Sequence, residues 1–384
     1  MLLDGRHLAI IEACAPDLCL VELEAERMNQ VQSGTNVGAQ SDDVTGIRRY
    51  LGLIEDQVEQ DNQPVSSEFD LPVSICGLTL RSPIVLLSGC VGFGEEYTRV
   101  EGFSNADVGA IVLKGTTLEP RLGNEPHRVW ETPSGMLNAI GLQNPGARAV
   151  VDDILPRLDF SETRFIANVC GSTVDEYVEV TRIFDQSPID AIEINISCPN
   201  IKEGGVAFGN YPDMSATVVA ACREVTTKPL ITKLSPNQTD IAANARACID
   251  AGTDGLAVIN TLMGMAIDVE NRSPIIGNVQ GGLSGPAIRP QALLKVYQVY
   301  AEAARDDIPI IGQGGIESAK DALEFILAGS AAVGLGTALF YDPLVVGKIN
   351  SGLAAYLDEH GFDSVADLVG ALSTNEALDR AVSG

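Results

Sequence analysis

The sequence predicts an α/β fold, a TIM (β/α)8 barrel with an N-terminal capping hairpin, behind an N-terminal extension expected to be poorly structured. Three observations predict it. From Phe69 onward, short β-branched runs alternate with longer stretches of helical period, the mark of repeated βα units and a parallel sheet. Eight such runs occur, at 84–87, 110–113, 165–169, 191–196, 230–234, 255–259, 308–311 and 331–335. All eight units fit between residues 69 and 357, which suits one closed barrel better than an open doubly wound sheet. The expected domains are an extension over 1–68, the barrel over 69–357 and a tail over 358–384.

Each element has a local reason. The extension is rich in Gln, Asn, Ser and acidic residues, with helical amphipathic spacing at 45–60, and Met28 allows that part of it is an overextended reading frame. Runs at 71–75 and 78–80 flank Cys76-Gly77, a hairpin expected to close the barrel bottom. Thr173 followed by Glu176 reads as a capping box opening a helix. Further helical spacing runs over 290–304, 319–327 and 342–357. Residues 116–150 and 260–288 are long insertions after the second and sixth strands, on the side where barrel loops shape active sites.

Composition excludes several function classes. Of 384 residues 45% are hydrophobic, enough for a large core, and the formal net charge is −27. Such an acidic surface argues against nucleic acid or an anionic membrane as partner. Eight cysteines are scattered without a C-x-x-C pair, the usage of a reducing compartment and not that of a zinc or iron–sulfur site. With three histidines, a His-based triad or metal site is not expected. No run reaches the roughly 18–20 apolar residues of a membrane span. The stretch 8–23 is broken by Glu12, Pro16 and Asp17 and lacks the basic flank of a signal peptide, so the expected location is the cytoplasm.

The chemistry falls at the strand ends, where a parallel barrel carries its site. In order these are Ser88, Lys114, Asn168, Asn195 with Cys198, Lys233, Asn260 with Thr261, Gly314-Gly315 and Gly336-Thr337. Two lysines and three asparagines at equivalent ends suit an anionic, planar, amide-rich ligand. Glycines after strands seven and eight let backbone N–H groups approach a phosphate. Cys198 stands before Pro199, which restricts it to extended geometry; a thiol there can move a proton, although a lone cysteine before a turn is more often structural. Lys233 in ITKLSPN has three readings: a Schiff base, a carboxylate holder, or a neighbour of the electron-rich edge of a flavin. There is no G-x-x-x-x-G-K-[ST] loop and no G-x-G-x-x-G opening the first βα unit.

Nine segments in order then carry a family resemblance: SGCVGFGEEY (88–97), LKGTTLEPRLGNEPHRVWETPSGMLNAIGLQNPG (113–146), ANVCGST (167–173), INISCPNIKEGGVAFG (194–209), TKLSPN (232–237), INTLMGM (259–265), GGLSGPA (281–287), IPIIGQGGI (308–316) and GLGTALF (334–340). Over about 69–357 the chain resembles the class 1 dihydroorotate dehydrogenases, FMN barrels of pyrimidine biosynthesis. The resemblance implies oxidation of (S)-dihydroorotate to orotate, with Cys198 as the general base on C5 and hydride leaving C6 for the flavin. It implies substrate contacts from Lys114, Asn138, Ala139, Ile140, Gly141, Leu142, Asn195, Asn260 and Thr261. It implies FMN contacts from Ser88, Lys114, Gly115, Asn168, Asn195, Lys233, Ile259, Gly285, Gly314, Gly315, Gly336 and Thr337. A free thiol has a pKa near 8.5, so neighbours must lower it for this role.

Cys198 in place of Ser resembles class 1, and the IKEGGVAFG segment resembles not its fumarate-using type but its type 1B, the NAD-linked catalytic subunit. That type implies a homodimeric core completed to a heterotetramer by a separate subunit carrying FAD and a [2Fe–2S] cluster. Three positions depart from the pattern: Cys90-Val91 stand where Thr-Phe is expected, and Gly115 where Ala is expected. The alternatives are a quinone- or fumarate-linked enzyme of the same family, or a related flavin barrel acting on another pyrimidine. From another class, a phosphate-binding lyase or isomerase with Lys233 as Schiff-base lysine explains the lysines and glycines. It leaves Cys198 and the asparagines without a role.

Overall fold

The structure, a computed structural model, describes residues 71–196 and 208–373. Contacts divide the chain into two units, Met1–Ser67 and Glu68–Gly384, and the described residues all belong to the second. The helical spacing at 45–60, and Cys198 with most of the IKEGGVAFG segment, lie outside the described residues.

Eight parallel strands close into a barrel: β3 (Ile84–Leu86), β4 (Ala110–Val112), β7 (Arg164–Val169), β8 (Ala191–Asn195), β9 (Leu230–Lys233), β10 (Gly255–Val258), β15 (Ile310–Gln313) and β16 (Ala332–Leu335). They follow one another around the ring in chain order, β16 pairing back onto β3. Seven of the eight are buried at every residue, because one face packs on the barrel interior and the other on the helices. The main helices are α1 (Val174–Asp185), α2 (Pro212–Arg223), α3 (Ile241–Asp250), α4 (Arg289–Ala303), α5 (Ala319–Leu327) and α6 (Val345–His360). Side chains of Thr173, Asp240 and Ser318 accept backbone N–H groups at the starts of α1, α3 and α5.

Before the barrel, β1 (Val73–Ile75) and β2 (Leu78–Leu80) form the expected hairpin. Its turn holds Cys76 and Gly77 at positive φ, the conformation a two-residue hairpin turn requires. The Cys76 thiol donates to the Asp254 carbonyl just ahead of β10, so the hairpin sits against the N-terminal end of the barrel.

The two insertions build one structure. Strands β5 (Val129–Thr132) and β6 (Gly135–Asn138) from the first join β11 (Leu262–Gly264) and β14 (Gly281–Ser284) from the second in the sheet order β11-β14-β6-β5. A small pair, β12 (Ile267–Asp268) and β13 (Ser273–Pro274), completes the second insertion.

Three details differ from the sequence expectation. The seventh barrel strand begins at Ile310, not at 308, because Asp307 adopts left-handed φ and Ile308 N–H returns to the Ala303 carbonyl as part of the helix end. Gly312 and Gln313 therefore belong to the strand, and the glycine turn is Gly314-Gly315 alone. The cap at Thr173 is not the reciprocal box: Glu176 accepts from Ser172 N–H, one residue before the cap. The last helix lies three residues later than its spacing suggested, ending at Gly361 in left-handed φ. Beyond it, Val365 and Leu368 are buried, so core packing continues past residue 357. No helix among the described residues is long and apolar enough to cross a membrane.

Candidate active site

Parallel pairing brings polar residues of neighbouring strands side by side at the barrel mouth. Asn168 is the register partner of Glu193, and Asn195 that of Lys233. Asn168 and Glu193 are 0% and 1% exposed and Lys233 is 6% exposed, so each needs a protein or ligand partner. Asn168 Nδ2 donates to Glu193 Oε1 at 2.5 Å, and Lys233 Nζ lies 3.9 Å from the same oxygen. Asn168 Oδ1 accepts from Asn195 Nδ2 at 3.2 Å and from the Cys170 thiol at 3.3 Å. Asn195 Oδ1 accepts from Asn260 Nδ2 at 3.3 Å, and Asn260 Oδ1 accepts the Thr261 N–H at 2.8 Å. Below them the buried Tyr177 hydroxyl donates to the Asn195 carbonyl at 2.8 Å, pinning the end of β8 to α1.

The rim comes from the insertions. Asn138 ends β6 opposite Gly282 of β14 and donates to its carbonyl. The next residues are held by backbone: Ala139 N–H donates to Arg128 O, while the Ala139 and Ile140 carbonyls accept from Asn124. Gly141 and Leu142 both have positive φ, and the Leu142 carbonyl accepts from Asn144. Thr261 is fixed through Asn237, whose amide donates to Thr261 O and accepts the Met263 N–H, each at 2.9 Å.

On the other side of the mouth stand the glycines. Gly285, Gly314 and Gly315 all have positive φ, and a Cβ on Gly315 would lie 2.6 Å from the Gly285 carbonyl oxygen. Only glycine permits that approach. The Thr337 hydroxyl, after Gly336, donates to the Ser284 hydroxyl at 2.8 Å. Ile259 is buried, and its N–H reaches the Gln313 carbonyl.

Ser88 is buried two residues beyond β3, in a loop built on Glu96. The Glu96 carboxylate accepts the N–H groups of Phe93, Gly94 and Glu95. Lys114 N–H donates to Gly92 O at 2.7 Å, joining this loop to the end of β4. A Cβ on the adjacent Gly115 would lie 3.0 Å from Asn168 Oδ1 and 3.5 Å from Leu142 Cδ2, so rim and amide cluster meet there.

A sequence model described as dihydroorotate dehydrogenase matches residues 70–357. The chain is 52% identical over 300 residues to the dihydroorotate dehydrogenase B (NAD(+)) catalytic subunit of Desulforudis audaxviator, covering 78% of this chain and 96% of the relative. The proteins of the same name from Geobacillus kaustophilus and Pelobacter propionicus are each 50% identical, over 301 and 304 residues. They cover 78% and 79% of this chain and 95% and 98% of the relatives.

The chain belongs to the dihydroorotate dehydrogenase family.

Within this dihydroorotate dehydrogenase barrel, two of the departures noted in the sequence, Cys90 and Gly115, lie at the site. A Cβ on Gly336 would lie 3.3 Å from Cys90 Sγ, and burial pushes the Cys90 thiol up to about 12, against the opposing pull of Lys233. Cys90 is therefore a neutral thiol at pH 7. Cys198, the candidate base, lies outside the described residues.

Two residues at the site escaped sequence reading. Glu193 alternates with apolar residues in AIEIN, and a charge two positions before Asn195 in a buried strand was the available signal. Gln313 sat in a glycine-rich segment and read as part of a turn. It is 1% exposed, and neither atom of its amide has a hydrogen-bond partner. A Cβ on Gly312 would face Ser330 and Phe325 on the helix side, so Gln313 points into the barrel.

Proposed function

We propose that the chain oxidises dihydroorotate to orotate at the barrel mouth, on a bound FMN, as the catalytic subunit of an NAD-linked assembly. The dihydroorotate dehydrogenase family is one of flavin enzymes, and the residues present fit that cofactor on two grounds. The backbone approach of Gly315 to Gly285 leaves a cradle that any side chain would fill, suited to a phosphate. The unpartnered Gln313 amide inside the barrel offers a donor and an acceptor to a heteroaromatic edge.

The observation that carries the reading is the cluster of buried Asn168 and Asn195 with half-buried Asn260, with Lys233 beside it, facing the glycines across one mouth. FMN supplies, when bound, the acceptor for the hydride leaving C6. The chain's own residues bind, orient and deprotonate. We assign the glycines at 285, 314, 315 and 336 with Thr337 to the cofactor phosphate. Ser88, Lys114, Gly115, Asn168, Asn195, Lys233 and Ile259 are assigned to the rest of the cofactor. The substrate's carboxylate and ring amides fall to Lys114, the five residues from Asn138 to Leu142, Asn195, Asn260 and Thr261. Cys198 takes the C5 proton.

The named relatives are catalytic subunits, which supports a partner subunit that carries electrons onward. FAD and a [2Fe–2S] cluster on that partner, and a homodimeric core, complete the proposal. Eight cysteines without a disulfide framework support a cytoplasmic setting. The test is anaerobic addition of dihydroorotate to the purified, FMN-loaded chain. Immediate bleaching of the flavin bands supports the reading; a flavin-loaded protein that does not bleach overturns the substrate.

A further inference from the structure

The polar groups at the mouth form a chain with a direction. Thr261 N–H donates to Asn260, Asn260 to Asn195, Asn195 to Asn168, and Asn168 to Glu193. An asparagine amide has nearly the same shape either way round, so its orientation is decided by its partners. An ionised carboxylate only accepts, which obliges Asn168 to present Nδ2 to Glu193 and Oδ1 to Asn195. Asn195 must then give its nitrogen to Asn168 and its oxygen to Asn260. The series is thus fixed at both ends, by the Thr261 N–H, which can only donate, and by the buried Glu193 carboxylate, which only accepts.

We propose that Glu193 is a positioning residue that, together with the Thr261 N–H at the far end, fixes the orientation of the Asn168, Asn195 and Asn260 amides, and so helps decide which site atoms face the ligand as donors and which as acceptors. This rests on the reading of the site as one for FMN and dihydroorotate. Glu193 also holds the countercharge for Lys233, and both are buried; removing one leaves the other uncompensated. It contacts neither ligand in this scheme. Its influence passes through the asparagines, where hydrogen bonds in series reinforce one another.

The decisive variant is Glu193→Gln, which keeps the shape and removes the charge. A glutamine can donate to Asn168, so the obligation at that end is lifted and only the Thr261 N–H still orders the series. Wild type and variant are compared as full chains loaded with FMN, reading thermal stability, the flavin absorbance change on titrating orotate, and kcat/KM with an artificial acceptor. The expected result is a folded, yellow variant whose orotate Kd rises about tenfold or more, with kcat/KM falling in step; loss of a hydrogen bond to a charged group is of that size. A variant whose orotate Kd and flavin spectrum stay within threefold of wild type overturns the proposal while leaving the functional reading intact. A wild type that takes up FMN but responds to neither orotate nor dihydroorotate overturns both. Should Glu193→Gln not fold, Glu193→Asp carries the test, because it keeps the charge and hence the order. Orotate binding retained within about threefold supports the proposal, and a folded, FMN-loaded Asp variant whose orotate Kd rises about tenfold or more overturns it.

Discussion

The Thr337 hydroxyl donates a 2.8 Å hydrogen bond to the Ser284 hydroxyl, and so ties the turn after the last barrel strand to β14 of the rim. Thr337 belongs to the proposed phosphate cradle, whereas Ser284 stands outside it. Ser284→Ala removes the acceptor and leaves Thr337 to rotate. Loss of one such bond is worth about 0.5–1.5 kcal/mol, which weakens FMN binding about two- to twelvefold. Titration followed by flavin fluorescence checks this; an unchanged Kd would show that the bond does not orient Thr337 for the phosphate.

Gly282 lies under Thr261. An alanine methyl there would come 2.7 Å from Thr261 Cβ and closer still to its hydroxyl, so Thr261 must shift. On the proposed role of Thr261 in orienting substrate, displacing it by up to about an ångström lowers kcat/KM about ten- to hundredfold. Gly282→Ala should show this loss, mostly in KM for dihydroorotate, with FMN still bound. Steady-state kinetics alongside the visible spectrum separate the two effects.

Gln313 buries an amide without a partner from the chain. Such a group costs about 1–3 kcal/mol. Gln313→Leu should therefore raise the melting temperature of the FMN-free protein. If bound FMN is what satisfies the amide, the same variant gains less stability from FMN than wild type does. Thermal scans with and without FMN give both numbers, and an equal FMN-induced shift in the two proteins would remove Gln313 from the cofactor site.

Burial pushes the thiols of Cys222 and Cys248 up to about 11 and about 12 from an ordinary 9.0. The folded chain then keeps protons that the unfolded chain has released above pH 9. Stability from this source is complete below pH 9 and is lost as pH rises toward 11–12, by about 1.4 kcal/mol per pH unit per thiol. Urea midpoints should fall steeply from pH 9 to 10.5. Cys248→Ala, which has no thiol to ionise, should show a shallower fall than wild type over that range.

The barrel was legible because its signal is repetitive: each strand is a buried β-branched run, and errors of a residue or two leave the count of eight intact. The strand that slipped did so where Pro309 and Asp307 made a helix end look like a strand start. The asparagine cluster was legible one residue at a time but not as a series, because the contacts join Asn168, Asn195 and Asn260 across three strands. Glu193 was missed for a related reason. A lone acid in an apolar strand has no meaning until the neighbouring strand supplies Asn168 at the matching register. Pairing of the two insertions left no trace in composition, since the partners β6 and β14 lie far apart in the chain and meet only through the fold.

That pairing constrains how the family's substrate preference can change. β6 and β14 share a hydrogen-bonded edge although Asn138 and Gly282 are 144 positions apart. Grafting a new rim onto this barrel by exchanging either insertion alone would leave a bare strand edge above the mouth, open to pairing with another molecule. The two segments therefore form a single inheritable part encoded in two places, and a working exchange has to carry both.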